Sequence, residues 1–331
     1  MGGNFGSSPS MMSFFRSLLS FLLVSALLLT ALPLIGFWLS DLHWSFDLAA
    51  QFMLPAIIAG CALAIIAGLL QRAGTGAGAL AVAIMISLNA GTWTSPHKDV
   101  SESLPRFKVL NFNVWYRNND LASVAETIRR ANADLVVLLE VTPRIRDALK
   151  PVTDTYPYKL GCGDGDPCNI MVLSRARLKA NALVRTSDSF RSPLLSFSAS
   201  LGGCPMTIYA THLTRPYPFT PPEAQIRQAM EVANEVAAFP AAKMLIGDFN
   251  AAPWGHVMQS IAARADLRLL AGAGGTWPVS LPKQMRIPID HMLAGRGLVF
   301  TKREVLPAAG SDHAPVLATV AVAEPDRCQA N

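Results

Sequence analysis

The first third of this 331-residue chain carries almost no charge. Between residues 1 and 97 there are two basic side chains, Arg16 and Arg72, and two acidic ones, Asp41 and Asp47. Three apolar runs fill this stretch, residues 17–39, 48–70 and 74–92, the last weaker and rich in Gly and Ala. A helix needs about 20 residues to cross the hydrocarbon core of a bilayer, so each run is long enough to span. Trp38, Trp44 and Trp93 stand at the ends of the runs, where an amphipathic ring sits best. The expectation is a membrane anchor over residues 1–93 with three transmembrane helices. Two alternatives stay open. The first run could be a cleaved signal peptide, although its apolar core exceeds the usual length of about 7–15 residues and no clear small-residue cleavage site follows. The third could be re-entrant or lie at the bilayer surface.

Loop charge gives these spans a direction. Arg16 precedes the first run and Arg72 lies between the second and third, whereas the first connecting loop holds Asp41 and Asp47 with no Lys or Arg. Cytoplasmic loops carry the excess of Lys and Arg. The N-terminus and the Arg72 loop are therefore expected inside, and residue 98 onward outside. Cysteine usage agrees. Cys61 falls within an apolar run, which leaves four cysteines in the soluble part. Cys162 and Cys168 bracket Gly163-Asp164-Gly165-Asp166-Pro167 and could close that loop as a disulfide, with Cys204 and Cys328 as a second pair. An even number fits an oxidising compartment, and four free thiols is the alternative. Zinc is disfavoured, because no His or further Cys lies close to Cys162 and Cys168 in sequence.

Residues 94–105 are polar and Pro-bounded and read as a linker. By difference, the chain beyond residue 97 holds 26 basic and 21 acidic residues, so the whole net charge of +5 resides there. That excess permits an anionic substrate without demanding one. A dedicated DNA-binding domain would be more basic.

From residue 106 to 322 apolar strands alternate irregularly with helices, and polar residues gather where strands end. Phe107–Trp115 is a strand ending at Asn113. Asp120 caps a helix with Leu121, Val124, Ala125 and Ile128 on one face. Leu135–Leu139 runs into Glu140, and Thr142-Pro143 opens a short helix. Asn169–Ser174 and Met206–Ala210 are further strands, the second leading into Thr211-His212. Pro221-Pro222 starts a long helix that stops before Pro240. Met244–Ile246 leads into Gly247-Asp248-Phe249-Asn250, where Gly247 lets the backbone turn or approach a ligand. Pro253-Trp254 is expected to begin another helix, and Ile287–Ile289 to run as a strand into Asp290-His291. Val316–Val322 is the last strand, preceded by Gly310-Ser311-Asp312-His313, and residues 323–331 are a tail. The absence of a strict βαβ rhythm predicts an α+β fold, two packed mixed sheets with helices outside in a four-layer α/β sandwich.

The strand ends supply Asn113, Glu140, His212, Asp248, Asn250, Asp290, Asp312 and His313. Carboxylates and amides without cysteine form a hard-ligand set, suited to Mg²⁺ or Mn²⁺. Histidines beside carboxylates suit acid/base work near neutral pH. Phosphoester hydrolysis needs both: charge neutralisation at the phosphoryl oxygens and proton transfer at the attacking and leaving oxygens.

Six segments resemble the endonuclease/exonuclease/phosphatase superfamily, in that family's order. They are Asn111-Phe112-Asn113-Val114-Trp115, Val137-Leu138-Leu139-Glu140, Thr211-His212-Leu213, Gly247-Asp248-Phe249-Asn250, Pro288-Ile289-Asp290-His291 and Ser311-Asp312-His313. The apolar runs ahead of them, and Pro253-Trp254 after the Gly-Asp-Phe-Asn run, resemble a bacterial membrane-anchored branch. The resemblance implies that Glu140 is the main Mg²⁺ ligand, with Asn113 and Asp312 nearby. It implies that Asp248 orients or activates the attacking water and that Asn250 holds the phosphate. His313 would bond the scissile phosphate, oriented by Asp290, and His212 would be a second imidazole. His256 and His291 fit no family role, and Asn111 reads as structural. His212 resembles the deoxyribonuclease and sphingomyelinase side of the superfamily, since abasic-site endonucleases typically have Tyr there. Arg215, Tyr217 and Phe219 either line a substrate groove or form a Pro-rich surface loop, the latter favoured.

The expected activity is Mg²⁺-dependent phosphodiester hydrolysis at a bacterial cytoplasmic membrane, with the catalytic domain on its outer side. Nucleic acid is the leading substrate. A phospholipid phosphodiesterase or phosphatase is the alternative, and a silent membrane-bound binding module the third. No organic cofactor or obligate protein partner is implied.

Overall fold

A computed structural model describes residues 11–92, 100–163, 168–184, 194–216, 220–239, 242–270, 272, 274–324 and 328. Trp93, the first six residues of the expected linker, Asp164–Pro167, Tyr217, Phe219 and most of the expected tail lie outside the described residues. The N-terminal part consists of α1 (Met11–Leu39), α2 (Trp44–Ala50), α3 (Met53–Leu69) and α4 (Ala73–Thr92). This corrects the expectation of three spanning helices. Among the described residues only α1 is by itself long and apolar enough to cross a membrane. The second run is broken into α2 and α3, bent by 60°, and counts as one more span only if the pair is taken together. The apolar part of α4, Ala73–Leu88, is shorter.

The break has a local cause. In a continuous helix the Pro55 ring would meet the carbonyl of Gln51, four residues earlier. The chain therefore stops at Ala50 and restarts at Met53 with Pro55 in the first turn of α3. In α4 the glycines at 74, 76 and 78 weaken helix propensity, but Gly76 and Gly78 allow close approach to α3 and α1: a Cβ at Gly78 would sit 3.0 Å from Leu27.

The rest of the chain continues, in order, as β1 (Arg106–Asn113), α5 (Leu121–Ala131), β2 (Leu135–Leu139), α6 (Pro143–Thr153), β3 (Tyr158–Leu160), β4 (Met171–Ser174), β5 (Lys179–Val184), β6 (Leu194–Leu201), β7 (Cys204–His212), α7 (Pro222–Ala237), β8 (Lys243–Asp248), α8 (His256–Ala265), β9 (Arg268–Leu269), β10 (Asp290–Ala294), β11 (Leu298–Val305) and β12 (Val316–Val322). Two six-stranded sheets form, ordered β11-β12-β1-β2-β4-β3 and β5-β6-β7-β8-β10-β9. Val109, Val137 and Val320 of one sheet pack against Phe197, Ile208, Met244 and Ile246 of the other. The alternate residues face outward: Leu110, Val136 and Leu138 lie beneath α5 and α6, and Tyr209 and Leu245 beneath α7 and α8. Both faces of the central strands are covered, which is why β2 reads Leu-Val-Val-Leu-Leu without polar alternation. The expected helix–sheet–sheet–helix sandwich is present.

Local chemistry explains most element ends. The Asp120 carboxylate accepts from the backbone N–H of Ser123 at 3.1 Å and starts α5. The Thr142 hydroxyl accepts from Ile145 N at 3.3 Å, with Pro143 in the first turn of α6. Two boundaries differ from expectation. α8 begins at His256 instead of Pro253-Trp254, because Ala252–Gly255 close a turn through Gly255 N to Ala252 O at 3.0 Å. Asp290 opens a strand instead of ending one, since the β10–β8 ladder starts at the Asp290–Asp248 pair. Cys162–Cys168 and Cys204–Cys328 both form disulfides, with Cα separations of 4.3 and 5.0 Å. That ends the zinc alternative.

Candidate active site

Strand direction gathers the candidate residues on one edge of the sandwich. β1 and β2 run parallel, as do β7 and β8. Their C-terminal ends therefore deliver Asn113, Glu140, His212 and Asp248 to the same side. β10 and β12 run antiparallel to β8 and β1, so their starts, with Asp290 and with Asp312-His313, arrive at that side too.

The side chains interlock across the two sheets. The Asn113 amide donates to Glu140 Oε1 and to Asp248 Oδ2, both at 3.0 Å. Tyr116 N donates to Glu140 Oε2 at 3.1 Å. His212 Nε2 lies 3.6 Å from Asp248 Oδ2 and 3.9 Å from Glu140 Oε1. His313 Nδ1 bonds Asp290 Oδ2 at 2.9 Å, and its Nε2 lies 3.7 Å from Asp248 Oδ2. Asn250 N donates to Asp248 Oδ1 and its side-chain amide to Leu213 O, both at 2.9 Å. Glu140 and Asn250 hold left-handed backbones, φ 57° and 48°. Such strain in non-glycine residues persists only where surrounding contacts over-determine it.

Asp248 and Asp290 are register partners, nearly fully buried. Like charges directly opposite on adjacent strands repel, and His313 relieves the repulsion by lying between them. Burial lowers the His313 pKa, but Asp290 and then Asp248 outweigh it and hold it at about 10. For Asp290, burial works upward and the His313 charge overcomes it, leaving the carboxyl below its usual range. Asp248 is pushed up to about 6 by burial and then by Asp290. Burial also raises Asp312.

Trp277 was not singled out from sequence, whereas Ser311 and Arg215 were named there without these contacts. Trp277 Nε1 donates to Asp312 Oδ2 at 3.3 Å, and its ring faces His313 at a centroid distance of 6.5 Å. The Ser311 hydroxyl donates to Asn113 O at 2.7 Å and accepts from His313 N at 3.1 Å. Arg215 stands over the Trp277 ring at 4.8 Å, exposed on the irregular segment that follows β7. A lone aromatic in the Gly274-Gly275-Thr276-Trp277-Pro278 loop is the one sequence signal for Trp277. His291 is buried and depressed to about 4 by that burial. Its Nε2 donates to Ala251 O at 2.9 Å, a structural bond. Asn111 is structural as expected: its amide crosses between the sheets to Gly247 O at 2.8 Å.

Residues 110–313, more than half of the chain, match the profile of the Endonuclease/Exonuclease/phosphatase family. The chain belongs to this family. Members are typically metal-dependent phosphoesterases. No curated protein matches the sequence. Among solved structures, it is similar to an endonuclease/exonuclease/phosphatase from Beutenbergia cavernae (22% identity, TM-score 0.55, 67% of this chain and 72% of that one). It is also similar to D. rerio TDP2 complexed with a single-strand DNA product (16%, 0.55, 65% and 98%). A third is the human Nocturnin catalytic domain with bound sulfate (15%, 0.51, 67% and 97%). At these identities the likeness shows the shared fold.

The site fits the divalent metal such a family implies. Four carboxylates, Glu140, Asp248, Asp290 and Asp312, face two imidazoles, an excess of negative charge that a hard cation would balance. Asp248, Asp290 and His313 bring ligand atoms within 4.8 Å of one another. Asp312 Oδ1 and His212 Nδ1 are buried and have no hydrogen-bond partner among the described residues. In the metal-free protein the site also sets a pH dependence. His313 binds its proton more tightly folded than unfolded, so its stabilisation is complete below about pH 6.5 and is lost as pH rises through about 10. Asp248, also raised, acts in the same direction between about pH 4 and 6. The Tm measured in chelator is expected to fall between pH 6.5 and 9.5, and His313→Gln to flatten that fall. A Tm that is flat or rising in the wild type contradicts the assignment.

Proposed function

We propose that this protein is a membrane-anchored, Mg²⁺-dependent phosphodiesterase whose catalytic domain faces away from the cytoplasm. The observation that carries the reading is the convergence of Asn113, Glu140, His212, Asp248, Asp290 and His313 at one edge of the sandwich, with His313 set between two buried carboxylates. Glu140, Asp312 and Asn113 would hold the cation, since Glu140 and Asp312 are more open to solvent than Asp248 and Asp290; Mn²⁺ suits the same donors. The ion would supply charge neutralisation at the phosphoryl oxygens. The protonated His313, its Nδ1 on Asp290, presents Nε2–H to a phosphoryl oxygen. Asp248, poised near neutral pH, takes a proton from the attacking water. His212 faces the same space as a second proton donor or phosphate ligand, and Asn250 fixes the orientation of Asp248.

Three observations support the anchor and its direction. Of the 28 large apolar side chains exposed among the described residues, 24 lie between Met11 and Leu88, the pattern expected when lipid is the solvent. The helical part packs in two layers. Leu34, Met53 and Ile86 meet the catalytic domain, whereas Leu23, Leu63 and Ala79 form a separate distal cluster. Arg16 and Arg72 fall at that distal end of their helices, as the positive-inside rule requires if the catalytic domain lies outside. The two disulfides agree with an oxidising compartment.

Nucleic acid is the leading substrate. Phospholipid is the second reading, favoured by the seating of site-flanking residues Ala252, Ile287 and Ile289 directly on the helical part. The deciding experiment offers DNA, RNA, phospholipid vesicles and sugar phosphates to spheroplasts and to inverted membrane vesicles with Mg²⁺. Chelator-sensitive cleavage of one phosphodiester class by spheroplasts is the expected result. Cleavage insensitive to chelator sinks the metal reading, and cleavage confined to inverted vesicles reverses the orientation.

A further inference from the structure

The helical part does more than hang from a linker. The turn from Ala251 to His256 follows directly on Asn250, and α2 with its C-terminal cap residue Gln51 grips it at three points. Gln51 Oε1 accepts from Ala252 N. Trp254 Nε1 donates to Ala50 O at 2.6 Å. Asp47 Oδ1 accepts from His256 N at 2.6 Å and so provides the N-terminal cap that α8 lacks within its own segment. Gly255 is the cap residue, and a Cβ there would sit 2.6 Å from Asp47 Oδ1. Asp47 and Gln51 are themselves buried.

The other side of the same turn is held by the catalytic domain. Gln225 donates to the carbonyls of Phe249 and Asn250, both at 3.0 Å, and His291 holds Ala251 O. Asn250 is in a left-handed conformation and its N–H orients Asp248. A strained residue needs restraint from both directions to stay in one place, and one of the two restraints comes from α2.

Resting on the phosphodiesterase reading above, we propose that the helical part is a wall of the catalytic centre and that Asp47 is a positioning residue, acting on Asp248 through the Ala251–His256 turn and Asn250. The test uses full-length protein in detergent with Mg²⁺ and a small soluble phosphodiester. Asp47→Ala is expected to lower kcat about 10- to 100-fold, the scale for a displaced catalytic group, with KM close to wild type and only the small fall in Tm of a lost helix cap. Amide exchange should rise across 250–256. Asp47→Asn retains an acceptor for His256 N–H and is expected to restore most of kcat. Gly255→Ala, which displaces Asp47 without removing it, should reproduce the Asp47→Ala loss. Asp41→Ala, at an exposed ion pair with the His256 ring, should change nothing. Unchanged kcat in both Asp47→Ala and Gly255→Ala overturns the proposal, as does a loss that Asp47→Asn fails to restore or that tracks a larger fall in Tm. If wild type cleaves no phosphodiester, the functional reading fails instead, while exchange over 250–256 still reports whether α2 restrains the turn.

Discussion

Asp248→Asn and His313→Ala each lower kcat on the preferred phosphodiester by about 10²- to 10⁴-fold, the range for losing a positioned proton acceptor or donor. The two groups act on one phosphoryl centre, and their reacting atoms lie 3.7 Å apart. Their losses are therefore not additive, and the double variant falls little below the weaker single one. Asp248→Asn keeps one oxygen, which accepts from Asn250 N or from the Asn113 amide but not from both, so its Tm falls modestly. His313→Ala leaves Asp290 and Asp248 facing each other without the intervening cation, and lowers Tm as well. Steady-state kinetics with Mg²⁺ alongside thermal melts check both points. Activity within about tenfold of wild type in both variants removes these residues from the chemistry.

Gly247→Ala destabilises the fold by more than about 3 kcal/mol, beyond the usual range for overpacking, because the clash is with backbone that cannot swing away. Gly247 sits within β8 opposite Thr211 of β7. A Cβ there would overlap the Thr211 carbonyl oxygen. The parallel β7–β8 pairing would open at the point that sets His212 beside Asp248, and the Asn111 bond to Gly247 O would shift with it. Urea titration of the variant checks this, and a loss below about 1 kcal/mol would show that the two strands can separate locally. The role of this glycine is close approach inside a strand. No turn falls at this position, since β8 runs on through Asp248.

Much of the catalytic half was legible because its signals are local. Asp120 and Thr142 stand where side-chain oxygens cap helices, and both do. The unbroken apolar runs of β2, five residues, and of Met244–Ile246 in β8 reveal strands covered on both faces. Other elements lack such signals. β11 carries Thr, Lys, Arg and Glu at the edge of its sheet, so neither alternation nor hydrophobicity marks it. β6, Leu-Leu-Ser-Phe-Ser-Ala-Ser-Leu, puts Ser196 at a buried position, Ser198 at a half-buried one and Ser200 in solvent, so its polar residues do not mark a solvent face clearly. The anchor was misjudged in its continuity. Apolar composition marks 48–70 as one run, but the helix breaks between Ala50 and Met53, just ahead of Pro55.

Sequence by itself picked out eight candidate residues, because they lie at or just beyond strand ends, where a rigid scaffold presents side chains. Only the tertiary structure decided how they are used. Strand direction alone sets Asp290 opposite Asp248, and that juxtaposition makes His313 a buried cation. Trp277 joins through contacts to Asp312, His313 and Arg215 that no local pattern encodes. The same holds for the N-terminal third: its lack of charge marks it as apolar from the first residues, but Asp47 and Gln51 gain their meaning only where α2 meets the turn after Asn250, some 200 residues away in sequence. Local propensity acts over a few residues, whereas bonds of that separation exist only after the whole chain has folded.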